Sequence, residues 1–183
     1  MKDLSWKKIS SEYLSRDTWG TVRKDVCETQ DGKIIDPYYV YEFPTWVTAV
    51  AITREGKFLM ERQYRYALDI TGFEIPGGCV DDTDPSLEKA IERELLEETG
   101  YRFTDFDYLG KVSSNPSTNN NWMHMFLARG GVYEREQELD HNEEIEVYLF
   151  SLEEVKKLLA DNQIFQSMHV TALYYALAKM KLL

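Results

Sequence analysis

The stretch from Phe73 to Tyr101, FEIPGGCVDDTDPSLEKAIERELLEETGY, constrains the fold more than any other part of the chain. It reads as a strand, a loop rich in glycine and aspartate, and a helix with both ends marked. Asp84 supplies an N-cap acceptor, Pro85 suits the first helical turn, and Gly100 stands where a helix stops. A helix over about Pro85 to Thr99 puts Leu87, Ala90 and Ile91 on one face. At 3.6 residues per turn that face continues into Glu94, Glu97 and Glu98. Three carboxylates therefore extend a stripe that should be buried.

That placement opposes the local physics. Glu94 with Glu97 and Glu94 with Glu98 are like-charge neighbours, each pair costing roughly 0.2–0.5 kcal/mol even when exposed. All three lie in the last turns, where the helix dipole disfavours anions by roughly 0.3–1 kcal/mol each. A hard divalent cation with oxygen ligands is the compensation that fits, magnesium or manganese being the obvious ions. Arg93 can pair with Glu97 one turn on, leaving Glu94 and Glu98 for a cation together with a backbone carbonyl of the glycine loop. The competing reading is a solvated acidic face, common in acidic proteins.

The surrounding chain is that of a soluble globular protein. Its 183 residues, 43% hydrophobic and 13% aromatic, predict one folded domain, with no repeat, low-complexity tract or linker. A net charge of −11 disfavours a nucleic-acid backbone or an anionic membrane as partner and requires local cations for any phosphate substrate. The apolar run within Trp46 to Ile52 is too short to span a bilayer, and MKDLSWKKISSEYL at the N-terminus has no apolar signal core, so a cytoplasmic protein is expected. Two cysteines, Cys27 and Cys79, make neither a disulfide framework nor a zinc cage. Strands are expected over Tyr38–Phe43, Trp46–Thr53, Phe58–Tyr64, Phe73–Ile75, Phe106–Val112, Trp122–Ala128 and Ile145–Phe150, with a hairpin turn at REGK (54–57). Helices follow over about Leu152–Ala160 and Ser167–Lys181. Strands on both sides of one early helix predict an α+β fold with a mixed sheet.

The acidic helix and its loop resemble the Nudix box. Arg93, Glu94, Leu95, Glu97, Glu98, Gly100 and Tyr101 match its second half in order, after the paired Gly77 and Gly78. The first half departs from the pattern. Asp84 stands where the box has a glutamate, and the spacing from there to Arg93 is one residue longer, so that Asp82 or Asp84 takes that place. The resemblance implies an α/β/α sandwich with a mixed sheet and a hydrolase of nucleoside diphosphates linked to another group. Three further features resemble the ADP-ribose and nucleotide-sugar pyrophosphatase branch: Pro116, sixteen residues after Gly100; WVTAVAI with RQYR at 62–65; and an N-terminal extension over 1–44 preceding a core over 45–183. Members of that branch are often homodimers sharing N-terminal strands.

By the same resemblance, Glu94, Glu97, Glu98 and the Gly77 carbonyl hold Mg2+ or Mn2+, one glutamate orients the attacking water, and Arg93 orients the carboxylates. The acidic loop LDHNEEIEV (139–147) resembles one that adds a carboxylate, but His141 stands where relatives often have an acid. Glu143, Glu144, Asp140 or His141 could assist, and a solvated turn weighs equally. Strand alternation sends Arg62 and Arg65 to opposite faces; Arg65 is favoured for the phosphates and Arg62 for the surface or a subunit contact. Glu74 could meet a metal or substrate, or pair with an arginine. Trp46, Tyr64 and Trp122 are candidates to stack on a base, although strand aromatics are more often core. His124 and His169 read as structural, and Cys79 as packing. The leading expectation is Mg-dependent cleavage of ADP-ribose or a related nucleotide sugar to a nucleoside monophosphate and a sugar phosphate. Nucleoside triphosphate cleavage and a non-catalytic nucleotide-sugar sensor are the alternatives.

Overall fold

Among the residues described by the computed structural model, 2–17 and 20–183, the chain order begins with β1 (Lys7–Ser15), β2 (Thr21–Glu28) and β3 (Ile34–Glu42). There follow β4 (Trp46–Thr53), β5 (Phe58–Arg65), β6 (Ile70–Glu74), β7 (Gly77–Cys79) and α1 (Leu87–Thr99). The rest are β8 (Tyr101–Arg102), β9 (Asp105–Val112), β10 (Met123–Tyr133), β11 (Ile145–Phe150), α2 (Leu152–Ala160) and α3 (Ser167–Lys179). Positions 1, 18 and 19 of the expected N-terminal extension lie outside the described residues. Two compact units emerge, one of Met1–Pro44 with Ser113–Asn121, the other of Thr45–Val112 with Trp122–Leu183.

The first unit is an antiparallel sheet in the order β1-β2-β3. Residue patterning alone does not mark β1 or β2, because their polar residues outnumber the alternating apolar ones that flag a half-buried strand. Backbone pairing and the Arg23 ion pairs with Asp25 and Glu42 supply the cohesion instead. The turn-rich SSNPSTNNN segment runs beside β3. Tyr41 donates its N–H to Thr118 O at 2.8 Å, and Tyr38 donates its hydroxyl to Ser117 O at 2.6 Å. Ile9, Tyr13, Leu14, Ile34, Tyr39 and Tyr41 of this unit are exposed.

The second unit is built on a mixed sheet in the order β11-β5-β4-β10-β8, with β6 beside β5, β7 beside β4 and β9 beside β10. β4 and β10 run parallel and the remaining pairs antiparallel. Alternation along β4 sorts its side chains between two cores. Val47, Ala49 and Ala51 pack with Ala90, Ile91 and Leu95 of α1. Val50, with Trp46 and Ile52 against it, packs with Val155 of α2 and Met168, Ala172, Leu173 and Ala176 of α3. Each fully buried Leu or Ile contributes about 1.5–3 kcal/mol, so both faces bind helices, and the unit is the expected α/β/α sandwich in the α+β class.

Several boundaries differ from expectation. α1 is capped by Ser86, whose side chain accepts the Lys89 N–H at 3.2 Å, and not by Asp84, which is drawn to Arg93 instead. β10 runs on to Tyr133 past the glycine pair, absorbing it as a register shift between Arg129 and Gly131. β6 begins at Ile70, and α3 ends at Lys179. The hairpin turn at 54–57 is as expected, Thr53 donating its N–H to Lys57 O at 2.8 Å.

Candidate active site

The C-terminal half of α1 lies against β7, and that contact creates the site. Gly77 donates its N–H to Glu98 Oε2 at 2.8 Å. Gly78 leaves room for Glu94, since a Cβ there would fall 2.5 Å from Glu94 Oε1. Glu94 and Glu98 are buried, as the stripe predicts, whereas Glu97, expected on the same stripe, is only half-buried and paired with Arg93. Burial pushes the Glu94 carboxyl up to about 7 and, with the charges of Glu61 and Glu94 adding, holds Glu98 well above the carboxylate range.

Arg93 locks the loop to the helix. Its guanidinium donates to Asp84 Oδ2 at 3.0 Å, to the Cys79 carbonyl at 3.0 Å and to Glu97 Oε2 at 2.8 Å, and lies 3.1 Å from Glu94 Oε1. The pairing with Glu97 is the one its spacing predicts. The contact with Glu94 was not anticipated, and neither was the pull on Asp84. Of the two candidates for the box glutamate, Asp84 reaches Arg93 and Asp82 is exposed, while Asp81 lies 3.5 Å from the same guanidinium.

β5 and β6 add the remaining groups. Arg65 donates to both oxygens of Glu74, at 2.7 and 2.6 Å, so Glu74 takes the arginine-paired alternative and two guanidinium N–H groups are committed to it. Burial opposes ionisation of Glu74, but that pairing outweighs it and keeps the carboxyl below its usual range. His169 of α3 sits 3.6 Å from Glu74 and is pushed down to about 4 by burial, so it is neutral. Glu61, opposite Glu74 in the β5–β6 register, is buried and pushed up to about 8 by burial and by the Glu74 charge. Sequence reading missed Glu61. The signal was there: Leu59, Glu61, Gln63 and Arg65 alternate onto one face, and Leu59 marks that face as core.

In the 139–147 loop, Glu143 is half-buried and its charge bears on Glu61, Glu94 and Glu98, while Glu144 and His141 are exposed. Asp140 donates its N–H to Glu143 Oε2 at 3.0 Å, which sets that side chain's direction. Arg62 pairs with Glu146 at the surface, 2.8 Å away. Trp46 faces the α2/α3 core, the opposite side of β4 from Glu94 and Glu98, so it is not brought to the glutamates. Tyr64 donates its hydroxyl to Asp69, Trp122 stacks under Lys111, and the His124 ring bonds the Tyr108 hydroxyl.

Among the described residues, no three acidic, imidazole or thiol groups already converge on one ion-sized point. The donor set nevertheless suits a hard cation. Its groups are carboxylates beside the Gly77 backbone, and Glu61 Oε1 is buried without a hydrogen-bond partner. Glu94 and Glu98 contribute the buried carboxylates of that set, and Glu97 is engaged by Arg93.

A strand, a glycine loop and a capped acidic helix, set in a mixed sheet between helices, define the Nudix class. The NUDIX domain model matches residues 43–169, and the chain belongs to that family. A second model, the nucleoside diphosphate sugar hydrolase N-terminal domain, matches residues 6–41. Among curated relatives, an ADP-ribose pyrophosphatase of Bacillus subtilis is 30% identical over 176 residues, 96% of this chain and 94% of that protein. A GDP-mannose pyrophosphatase of Yersinia enterocolitica is 26% identical over 185 residues, 93% of this chain and 94% of that one. A crystal structure titled as an ADP compounds hydrolase superposes with a TM-score of 0.84 at 24% identity, covering 100% of both chains, which supports the fold. No helix among the described residues is long and apolar enough to cross a membrane.

Proposed function

We propose that this chain hydrolyses the diphosphate bond of ADP-ribose or a related nucleoside diphosphate sugar, giving a nucleoside monophosphate and a sugar phosphate, with Mg2+ or Mn2+ held by Glu94, Glu98 and the Gly77 carbonyl. The observation that carries this reading is Glu98, buried against the Gly77 N–H beside Glu94 and Glu61. A carboxylate cluster of this kind is stable in ionised form only if a cation joins it. A bound divalent cation neutralises charge on the diphosphate oxygens and lowers the pKa of water. The chain's own residues do the rest: Arg93 fixes the loop against α1, and Glu143, whose charge bears on Glu61, Glu94 and Glu98, takes a proton from the attacking water. Arg65 keeps its half-exposed edge for a phosphate while anchored on Glu74.

The two N-terminal strands and β3 expose Ile9, Tyr13, Leu14, Ile34, Tyr39 and Tyr41, a surface suited to a second copy of the chain. Together with free Cys27 and Cys79, this supports a cytoplasmic homodimer in which residues 1–44 form the dimerising extension of one Nudix core.

The test is mass spectrometry of products after incubation with ADP-ribose, ADP-glucose, GDP-mannose and ATP, with and without Mg2+, for wild type and Glu98→Gln. The expected result is Mg2+-dependent nucleoside monophosphate plus sugar phosphate, lost in Glu98→Gln. Measurable binding of these sugars with no turnover of any would overturn the reading and favour a sensor.

A further inference from the structure

Glu61 has no role in the site as assigned so far. It follows Leu59 on one face of β5, and its register partners are Glu74 in β6 and Val147 in β11. Leu59 and Val147 both pack on the core formed with Ile91 and Leu95 of α1. Glu61 therefore points toward α1, whose same buried stripe ends in Glu94 and Glu98. It is 4% exposed, and its Oε1 is buried with no hydrogen-bond partner. The nearest cation, Arg65, spends its hydrogen bonds on Glu74. A buried, unpaired carboxylate flanked by Leu59 and Val147 is less stable than an apolar side chain of similar size. The position is thus costly for folding alone, and its charge bears on the carboxylates of Glu94 and Glu98.

We propose that Glu61 is an inner-sphere ligand of the divalent-cation site, adding a carboxylate from β5 to those of α1. The inference rests on the reading of Glu94 and Glu98 as cation ligands. Oxygen-rich coordination of six or more donors leaves room for it, and Glu61 approaches from the sheet while Glu94 and Glu98 approach from the helix. A site closed from β5 as well as from α1 and β7 is held more rigidly than one on α1 and β7 alone, and cation binding then clamps β5 to α1.

The test titrates the full chain with Mn2+, following the free ion by electron paramagnetic resonance, for wild type, Glu61→Val, Glu61→Gln and Glu98→Gln. In parallel, Eu3+ luminescence lifetimes in H2O and D2O count the waters on the bound ion. Expected for Glu61→Val is Mn2+ binding weaker by at least ~10-fold and at least one more water on Eu3+. Wild-type affinity and water count in the Glu61 variants, with binding weakened in Glu98→Gln, would overturn the inference while leaving the cation site intact. Weaker binding with an unchanged water count would also overturn it, assigning Glu61 a through-space charge effect. Wild-type binding by Glu98→Gln would instead sink the underlying reading. Should Glu61→Val fail to fold by circular dichroism, the isosteric Glu61→Gln carries the same two readouts.

Discussion

Lowering the pH should destabilise this fold through one imidazole, His169, and the amount follows from its surroundings. Burial pushes His169 down to about 4, overcoming the Glu74 carboxylate 3.6 Å away, while the Arg65 charge adds to the depression. The unfolded chain takes a proton on this residue below about 6.5 and the folded chain refuses it. Stability is therefore intact above pH 6.5 and falls as pH drops toward 4. At about 1.4 kcal/mol per pH unit, the loss reaches about 2 kcal/mol at pH 5, rounded where each titration begins. The perturbation is His169→Leu, which removes the titrating group and keeps an apolar volume. Urea unfolding of both proteins at pH 7.5 and pH 5.0, with chelator present, isolates His169 because the other groups titrate in both. The stability of wild type relative to the variant should fall by about 2 kcal/mol on going to pH 5. A gap that stays constant, or widens in favour of wild type, would refute the reasoning, the latter showing a charged His169 paired with Glu74.

Gly100 closes α1 in the left-handed region at φ 75°, and a Cβ there would fall 2.1 Å from the Arg135 carbonyl. Gly100→Ala should therefore cost more than the ~1–2 kcal/mol of the backbone conformation alone and lower Tm by several degrees in a thermal melt; an unchanged Tm would contradict this. Mn2+ affinity should rise with pH between about 6 and 9, because Glu94 and Glu61 are pushed up to about 7 and about 8 and must lose their protons to ligate. Calorimetry in buffers of different ionisation enthalpy should show proton release on binding, and flat affinity without release would count against carboxylate ligation.

The strand-loop-helix from Phe73 to Tyr101 was legible because its signals are local: glycines at the turn, a capping serine or aspartate, a stop at Gly100 and a 3.6-residue stripe. Even there, the choice of Ser86 over Asp84 as cap was hidden. It turns on Arg93, nine residues on in sequence, drawing the Asp84 carboxylate away. The same reason hid Glu61, which becomes a site residue only when β5 pairs with β6 and β11 and is laid over α1. β1 and β2 were illegible for a different reason. β1 is exposed along its whole length, so it carries no core-facing alternation for a reader to find. Trp46 shows the converse: strand parity fixes its face, and that face packs on the α2/α3 core.

An acidic chain that takes a diphosphate must solve a charge problem, and the arrangement of its arginines indicates how. Arg93 is held by Asp84, Glu97 and Glu94, and Arg65 gives two of its N–H groups to Glu74, keeping only its half-exposed edge. Both cations thus serve carboxylates already inside the site, and Glu61, Glu98 and Glu143 have no arginine or lysine hydrogen bond among the described contacts. A polyanionic substrate approaching this cluster meets net negative potential in a region where burial strengthens repulsion. Rearranging the arginines toward phosphate would merely expose Glu74 or Glu97 as new unpaired charges. One half-exposed guanidinium edge does not offset that many carboxylates, so cations brought from outside must supply the rest, and substrate affinity and cation affinity should be coupled in this chain. The like charges at the wrong helix end, visible in the sequence, are the same feature on which the proposed divalent-ion site rests.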